Sequence, residues 1–131
     1  MAVPYIFITQ KAPYKKDGIQ KTVTYARTVT THKATTEEIA ENISLRCTVN
    51  PADVLAVLYA LGDELKNRIN KGEMVELKGI GSFRIQGGTG AVEDAQKVRS
   101  KDFDRRKVNF TPDASLKASL RTLSFIRKRT D

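Results

Sequence analysis

The sequence predicts an α+β fold: a β-hairpin, two helices, a three-stranded antiparallel sheet whose last two strands are separated by a polar segment, and a C-terminal helix. Three observations carry this. Residues 3–8 (VPYIFI), 22–29 (TVTYARTV) and 105–111 (RRKVNFT) are rich in β-branched and aromatic residues and read as strands. Between residues 35 and 72 the apolar residues instead recur at helical spacing. At 75–85, VELKGIGSFRI places two glycines, one residue apart, between two short alternating segments, as a tight turn requires.

Each element has a local reason. Residues 3–8 and 22–29 flank a polar stretch containing Asp17-Gly18, a hairpin-turn pair. Thr35-Thr36-Glu37-Glu38 is a capping-box pattern, and the helix it opens carries Ile39 and Ile43 one turn apart. Asn50-Pro51-Ala52-Asp53 starts a second helix with a capping side chain, a proline in the first turn and an early acid. Val54, Leu58, Leu61, Leu65 and Ile69 form its stripe, widened by Leu55 and Val57, and Gly72 ends it. Strands are expected at 74–79, 82–87 and 105–111, separated by a polar segment at 88–104. Pro112-Asp113 then opens a last helix with Leu116, Leu120 and Leu123 as its stripe. The apolar face of the second helix is broader than one short helix can cover, which points to a dimer.

Composition narrows the function. The chain has 131 residues, 40% of them hydrophobic, enough for one domain or one domain with a small appendage. Its formal net charge of +8 favours a polyanionic partner, nucleic acid before anionic membrane. The charge is uneven: net +5 over residues 1–34, −2 over 35–72 and +5 over 73–131. Cys47 is the only cysteine, so neither a disulfide framework nor a thiolate zinc site is expected; beside an apolar helix it reads as a small core residue. The opening MAVPYIFITQKAP lacks the basic leader and apolar run of a signal peptide, and no apolar run is long enough to span a membrane. A cytoplasmic location is expected.

No catalytic set is apparent. His32 is the single histidine and lies in a polar connector far in sequence from Cys47, while Asp102 and Asp104 read as salt-bridged surface carboxylates. The expectation is a non-enzyme without cofactor, metal or small-molecule substrate. The glycines of GIG lead into a strand, whereas a phosphate-binding loop feeds a helix N-terminus, so a hairpin is the better reading.

The informative charge cluster is Lys97, Arg99, Lys101, Arg105, Arg106 and Lys107. If Val108 and Phe110 face the core, strand alternation turns Arg105, Lys107 and Asn109 outward; on the neighbouring strand Phe83 and Ile85 face in and Arg84 out. One sheet surface would then gather Arg84, Arg105 and Lys107 to read phosphate. The tail Arg127-Lys128-Arg129 reads as a solvated charge run.

The order helix, helix, strand, Gly-x-Gly turn, strand, polar arm, strand, helix resembles the HU/integration host factor family of bacterial histone-like proteins. The resemblance covers about residues 35–125 and rests on DVLAVLYALGDELKNRINKGE, VELKGIGSFRI and VNFTPDASLKASL. It implies an HU-like fold in an intertwined dimer whose arms grip the DNA minor groove. It further implies architectural, largely sequence-independent binding of double-stranded DNA in the nucleoid, for which the basic residues Arg84, Lys97, Arg99, Lys101, Arg105, Arg106 and Lys107 are the expected contacts. Residues 1–34 look like the hairpin extension of a longer HU-like subgroup, giving a division at 1–34 and 35–131. The alternative is a protein-interaction module that keeps the dimer without wrapping DNA. The sequence departs from the family in its arm. No proline lies between Pro51 and Pro112, and the expected tip, Ala91-Val92-Glu93-Asp94-Ala95-Gln96, carries two acids.

Overall fold

The computed structural model describes residues 2–129, which form two compact units. The first comprises the chain through Ala34 together with everything from Leu120 onward; the second is Thr35–Ser119.

In the second unit, α1 (Thr36–Ser44) and α2 (Pro51–Asn70) precede the sheet β3 (Val75–Leu77), β4 (Gly81–Gly88), β5 (Arg105–Pro112), whose strand order is β3-β4-β5. A short helix, α3 (Ala114–Leu120), follows. Both helix starts work as the sequence implies. The Thr35 hydroxyl accepts the Glu38 N–H at 3.3 Å, and Asn50 Oδ1 accepts the Asp53 N–H at 2.9 Å. At the end of α2 the Glu73 N–H reaches the Arg68 carbonyl and the Gly72 N–H the Ile69 carbonyl. These are the two bonds of a Schellman ending, with Gly72 at φ 82°.

The β3–β4 turn is Leu77-Lys78-Gly79-Ile80, closed by Ile80 N–H to Leu77 carbonyl at 3.0 Å, with Gly79 at φ 85° as the third position of a type II turn demands. The second glycine has a different task. A Cβ on Gly81 would run into the Thr111 carbonyl and the Phe110 ring, so Gly81 lets β5 pass close by. This turn lies at the start of β4, the far end of the strand from the 89–104 connection.

That connection differs from the extended arm the resemblance implies. It contains two single-turn 3-10 helices, Ala95–Lys97 and Ser100–Asp102. The cause lies in the acids. Asp94 accepts the Gln96 N–H at 3.0 Å and Asp102 the Arg99 N–H at 2.8 Å, local bonds that compete with ladder pairing. Asp102, expected in a salt bridge, is a turn-former instead. Arg106 binds the connection from β5, donating to the carbonyls of Phe103 at 2.5 Å and Ser100 at 3.1 Å.

The first unit is a sheet of β1 (Ala2–Lys16), β2 (Ile19–Thr28) and β6 (Ser124–Arg127) in the order β2-β1-β6. Asp17 and Gly18, at φ 56° and 76°, make a two-residue turn with both central residues left-handed, the type I′ geometry. The strands run far past the segments 3–8 and 22–29 because the polar stretch between them stays paired to its tip, apart from a bulge between Lys11 and Lys15 that holds Pro13. The C-terminal region is the larger difference. The helix expected to reach Leu123 ends at Leu120, and Ser124–Arg127 pairs in parallel with Ala2–Tyr5. Ser124-Phe125-Ile126-Arg127 alternates as a strand does, and β1 offers it a free edge. The segment from Leu120 thus leaves the body in which the 35–131 division placed it and joins the hairpin. Arg127 is likewise not loose tail: it lies in β6 with its guanidinium 4.8 Å from the Phe7 ring centroid.

Little of the chain is deeply buried. Among the described residues the buried apolar side chains are Ala12, Ala40, Val54 and Ile69. The accessible surface is 11434 Å² for 14.6 kDa. A folded monomer of that mass exposes roughly 6,900 Å², and two separate bodies of these sizes roughly 8,000 Å². Cys47, expected in the core, is exposed, at an open apolar depression lined by Ile43, Val49, Val54, Val57 and Leu58.

Candidate nucleic-acid interface

Register decides which charges act together. In the β4–β5 ladder Phe83 pairs with Phe110, Arg84 with Asn109, Ile85 with Val108, Gln86 with Lys107, Gly87 with Arg106 and Gly88 with Arg105. Directly opposed residues share a face and neighbours along a strand alternate. One face therefore carries Phe83, Phe110, Ile85 and Val108, with the Phe83 and Phe110 rings 5.0 Å apart. The other carries Arg84, Asn109, Gln86, Lys107 and Arg105. This is the surface the sequence anticipated, and it adds two amides: Asn109 Nδ2 donates to Gln86 Oε1 at 2.6 Å across the strands. The three cations and Gln86 are exposed, so their charge and hydrogen-bonding groups are available to a ligand.

The other four predicted residues divide. Arg106 is on the opposite face from Arg105 and Lys107, where its guanidinium is held by the Ser100 and Phe103 carbonyls. It shapes the connection, and the strand alternation that turns Lys107 outward is what turns Arg106 away. Lys97, Arg99 and Lys101 are exposed within the connection, Lys97 and Lys101 in the two 3-10 turns and Arg99 before the second. The Phe103 ring lies 3.7 Å from where a Cβ on Gly87 would stand, against the sheet end from which the connection leaves.

The arrangement is suited to binding an anion. Among the described residues no group of three or more His, Cys, Asp or Glu is placed to hold a metal. No described helix is long and apolar enough to cross a membrane. Asp113 is held below the usual carboxylate range because the Ser115 hydroxyl donates to it at 2.9 Å, with help from the Ser115 N–H. That carboxylate caps α3 and has no part in the basic face.

The profile of the HU-HIG family, described as an HU domain fused to wHTH, Ig, or glycine-rich motif, matches residues 1–127. The chain belongs to this family. Solved structures agree on the fold. HU from Thermotoga maritima, in a point-mutant form, superposes with a TM-score of 0.50 at 18% identity, covering 66% of this chain and 99% of that one. HU in an Anabaena HU–DNA cocrystal gives 0.50 at 17% identity, covering 68% and 99%. A candidate bacterial DNA-binding protein from Bacteroides vulgatus gives 0.67 at 11% identity; it covers 99% of this chain, which spans half of that longer protein. No curated protein matches the sequence. The match from residue 1 brings the N-terminal ribbon inside the family domain, where the sequence resemblance began near residue 35.

Lys11, Lys15, Lys16 and Lys21 belong to no site that a sequence motif marks out. The signal for them was the net +5 of residues 1–34, legible as charge but without a surface to assign it to.

Proposed function

We propose that this chain is an architectural, largely sequence-independent binder of double-stranded DNA that acts as a homodimer in the bacterial nucleoid, with no enzymatic role. The observation that carries this reading is the β4–β5 face on which Arg84, Arg105 and Lys107 stand together, beside Gln86 and Asn109. Lysine and arginine on a flat sheet face neutralise phosphates and release counterions, which gives affinity without base information. Lys97, Arg99 and Lys101 extend the positive surface past the end of the sheet. The HU relative crystallised with DNA supports the reading by its shared fold.

The dimer rests on unburied apolar surface. Val108, Phe110 and Ile85 are exposed on the opposite face of the sheet, as are Val57, Tyr59 and Leu116 on α2 and α3. A second copy covers such a surface in the intertwined arrangement of HU.

The acidic pair Glu93 and Asp94 in the connection favours a second reading, an interaction module that retained the dimer without wrapping DNA. A mobility shift on unrelated duplexes at two salt concentrations separates the two. The DNA-binding reading predicts affinities within roughly tenfold across sequences and a steep loss with salt; absence of any shift at low salt favours the module.

A further inference from the structure

Beyond Tyr5, where its pairing with β6 stops, the β1–β2 hairpin continues as a two-stranded ribbon. From the Ile6–Arg27 pair to the Lys16–Ile19 pair it extends roughly 26 Å at about 3.3 Å per residue along β2. Its outer half carries Lys11, Lys15, Lys16 and Lys21 against one acid, Asp17, in the turn. All four lysines are exposed, and none ion-pairs with a described carboxylate. Two large apolar side chains are exposed beside them, Tyr14 at 64% and Ile19 at 65%.

The register distributes these charges over both faces. Lys16 pairs with Ile19, Lys15 with Gln20 and Lys11 with Thr22. Alternation along β2 then sets Lys16, Ile19 and Lys21 on one face and Lys11 and Lys15 on the other. An anionic plane such as a membrane engages one face of a ribbon and leaves the second set of lysines in water. A groove between two phosphate backbones has two charged walls, and the major groove of B-form DNA admits a two-stranded ribbon. Tyr14 and Ile19 are too few to anchor a lipid interface, yet they suit contact with the apolar sugar and base edges of a groove.

We propose that the N-terminal ribbon is a second duplex-binding element that lies in the major groove, with Lys16 and Lys21 serving one phosphate strand and Lys11 and Lys15 the other. It rests on the DNA-binding reading above and adds a site independent of the β4–β5 face.

The experiment compares the whole chain with two fourfold variants, Lys11→Ala/Lys15→Ala/Lys16→Ala/Lys21→Ala and the same four positions changed to arginine. Binding to a mixed-sequence duplex is measured across salt concentrations, and guanine N7 protection from dimethyl sulfate is mapped. The alanine variant should bind at least about tenfold more weakly at low salt, with a log–log salt slope shallower by roughly three to four per protomer, about 0.9 per lost phosphate contact. It should also lose N7 protection that the wild type gives. The arginine variant should retain all three properties, which separates lost charge from a damaged hairpin. An unchanged slope for the alanine variant overturns the proposal while leaving the sheet face intact as a site. Protection at adenine N3 in place of guanine N7 overturns the groove assignment. If the alanine variant loses binding only to vesicles rich in phosphatidylglycerol, the ribbon's partner is a lipid surface. Absence of duplex binding by the wild type removes this proposal and the DNA-binding reading together.

Discussion

Two antiparallel ribbons in this molecule carry comparable positive charge and differ in what they do with it. At the end of β4–β5, Asp94 and Asp102 fold the connection into short turns and Arg106 binds its carbonyls, so part of the charge is consumed internally. At the end of β1–β2, a two-residue turn closes the strands and four lysines form no ion pair with a described carboxylate. The first ribbon concentrates its free cations on one face; the second divides them between two. A count of basic residues cannot distinguish these cases. Register can, because a side chain's face is fixed by its opposite number in the ladder.

The largest expected effect concerns what lies behind the first ribbon. Leu61 is half-buried on α2, and in the proposed dimer a second copy would complete its burial. Leu61→Asp should cost several kcal/mol by placing an unpaired charge in that interface. Sedimentation and thermal melting should show dissociation or unfolding at micromolar concentration. A wild-type chain that sediments as a stable folded monomer would remove the dimer and leave the exposed apolar faces unexplained.

A smaller effect separates Arg106 from its neighbours. Arg106→Ala should loosen the connection, read as faster amide exchange at Phe103, while changing the salt slope of DNA binding by less than Lys107→Ala does. Equal slope changes for the two would mean that the face assignment has no consequence. Asn50→Ala removes the cap of α2 and should cost about 1 kcal/mol by thermal melting, with DNA contacts unaffected.

What was legible in the sequence follows the same division. The caps at Thr35 and Asn50, the Gly72 ending and the Gly79 turn depend on residues within a few positions, and all are present where the local chemistry put them. The shared face of Arg84, Arg105 and Lys107 was legible because alternation needs only two strands in register. The misreadings come from long-range or competing bonds. Strand β6 exists because β1, more than a hundred residues away, has an open edge, and a helical stripe at Leu116, Leu120 and Leu123 said nothing of that. The polar ribbon from Lys11 to Thr22 resembled a loop because neither of its faces is buried enough to impose alternation. The acids in the connection looked like a repulsive tip or salt-bridge partners, yet Asp94 and Asp102 bond to nearby backbone N–H groups.

Two weaker effects sharpen the contrast between the ribbons. Val92 is beside Glu93 and Asp94 in the folded connection, where it makes a poor wedge between base steps. Energy transfer across a duplex of about 35 base pairs, longer than a 20–30 base-pair bent site, should therefore show the same bend for wild type and Val92→Ala. A sharp bend that vanishes in the variant would make the connection a kinking arm after all. The smallest effect is acid sensitivity at α3. The Asp113 carboxylate is lowered by bonds from Ser115, so its contribution to stability is present above its unfolded value near 4. That contribution is lost as pH falls through the lower folded value. Asp113→Ala should be less stable than wild type at pH 6, the difference shrinking below about pH 4.

The most direct test of the DNA-binding face is the salt dependence of duplex binding by Arg84→Ala/Arg105→Ala/Lys107→Ala. The register predicts weaker binding with a slope shallower by roughly three per protomer, in a variant that keeps wild-type helicity because all three side chains are exposed. A well-folded triple variant with unchanged affinity and slope would contradict it, and the β4–β5 face would then not be where this protein meets DNA.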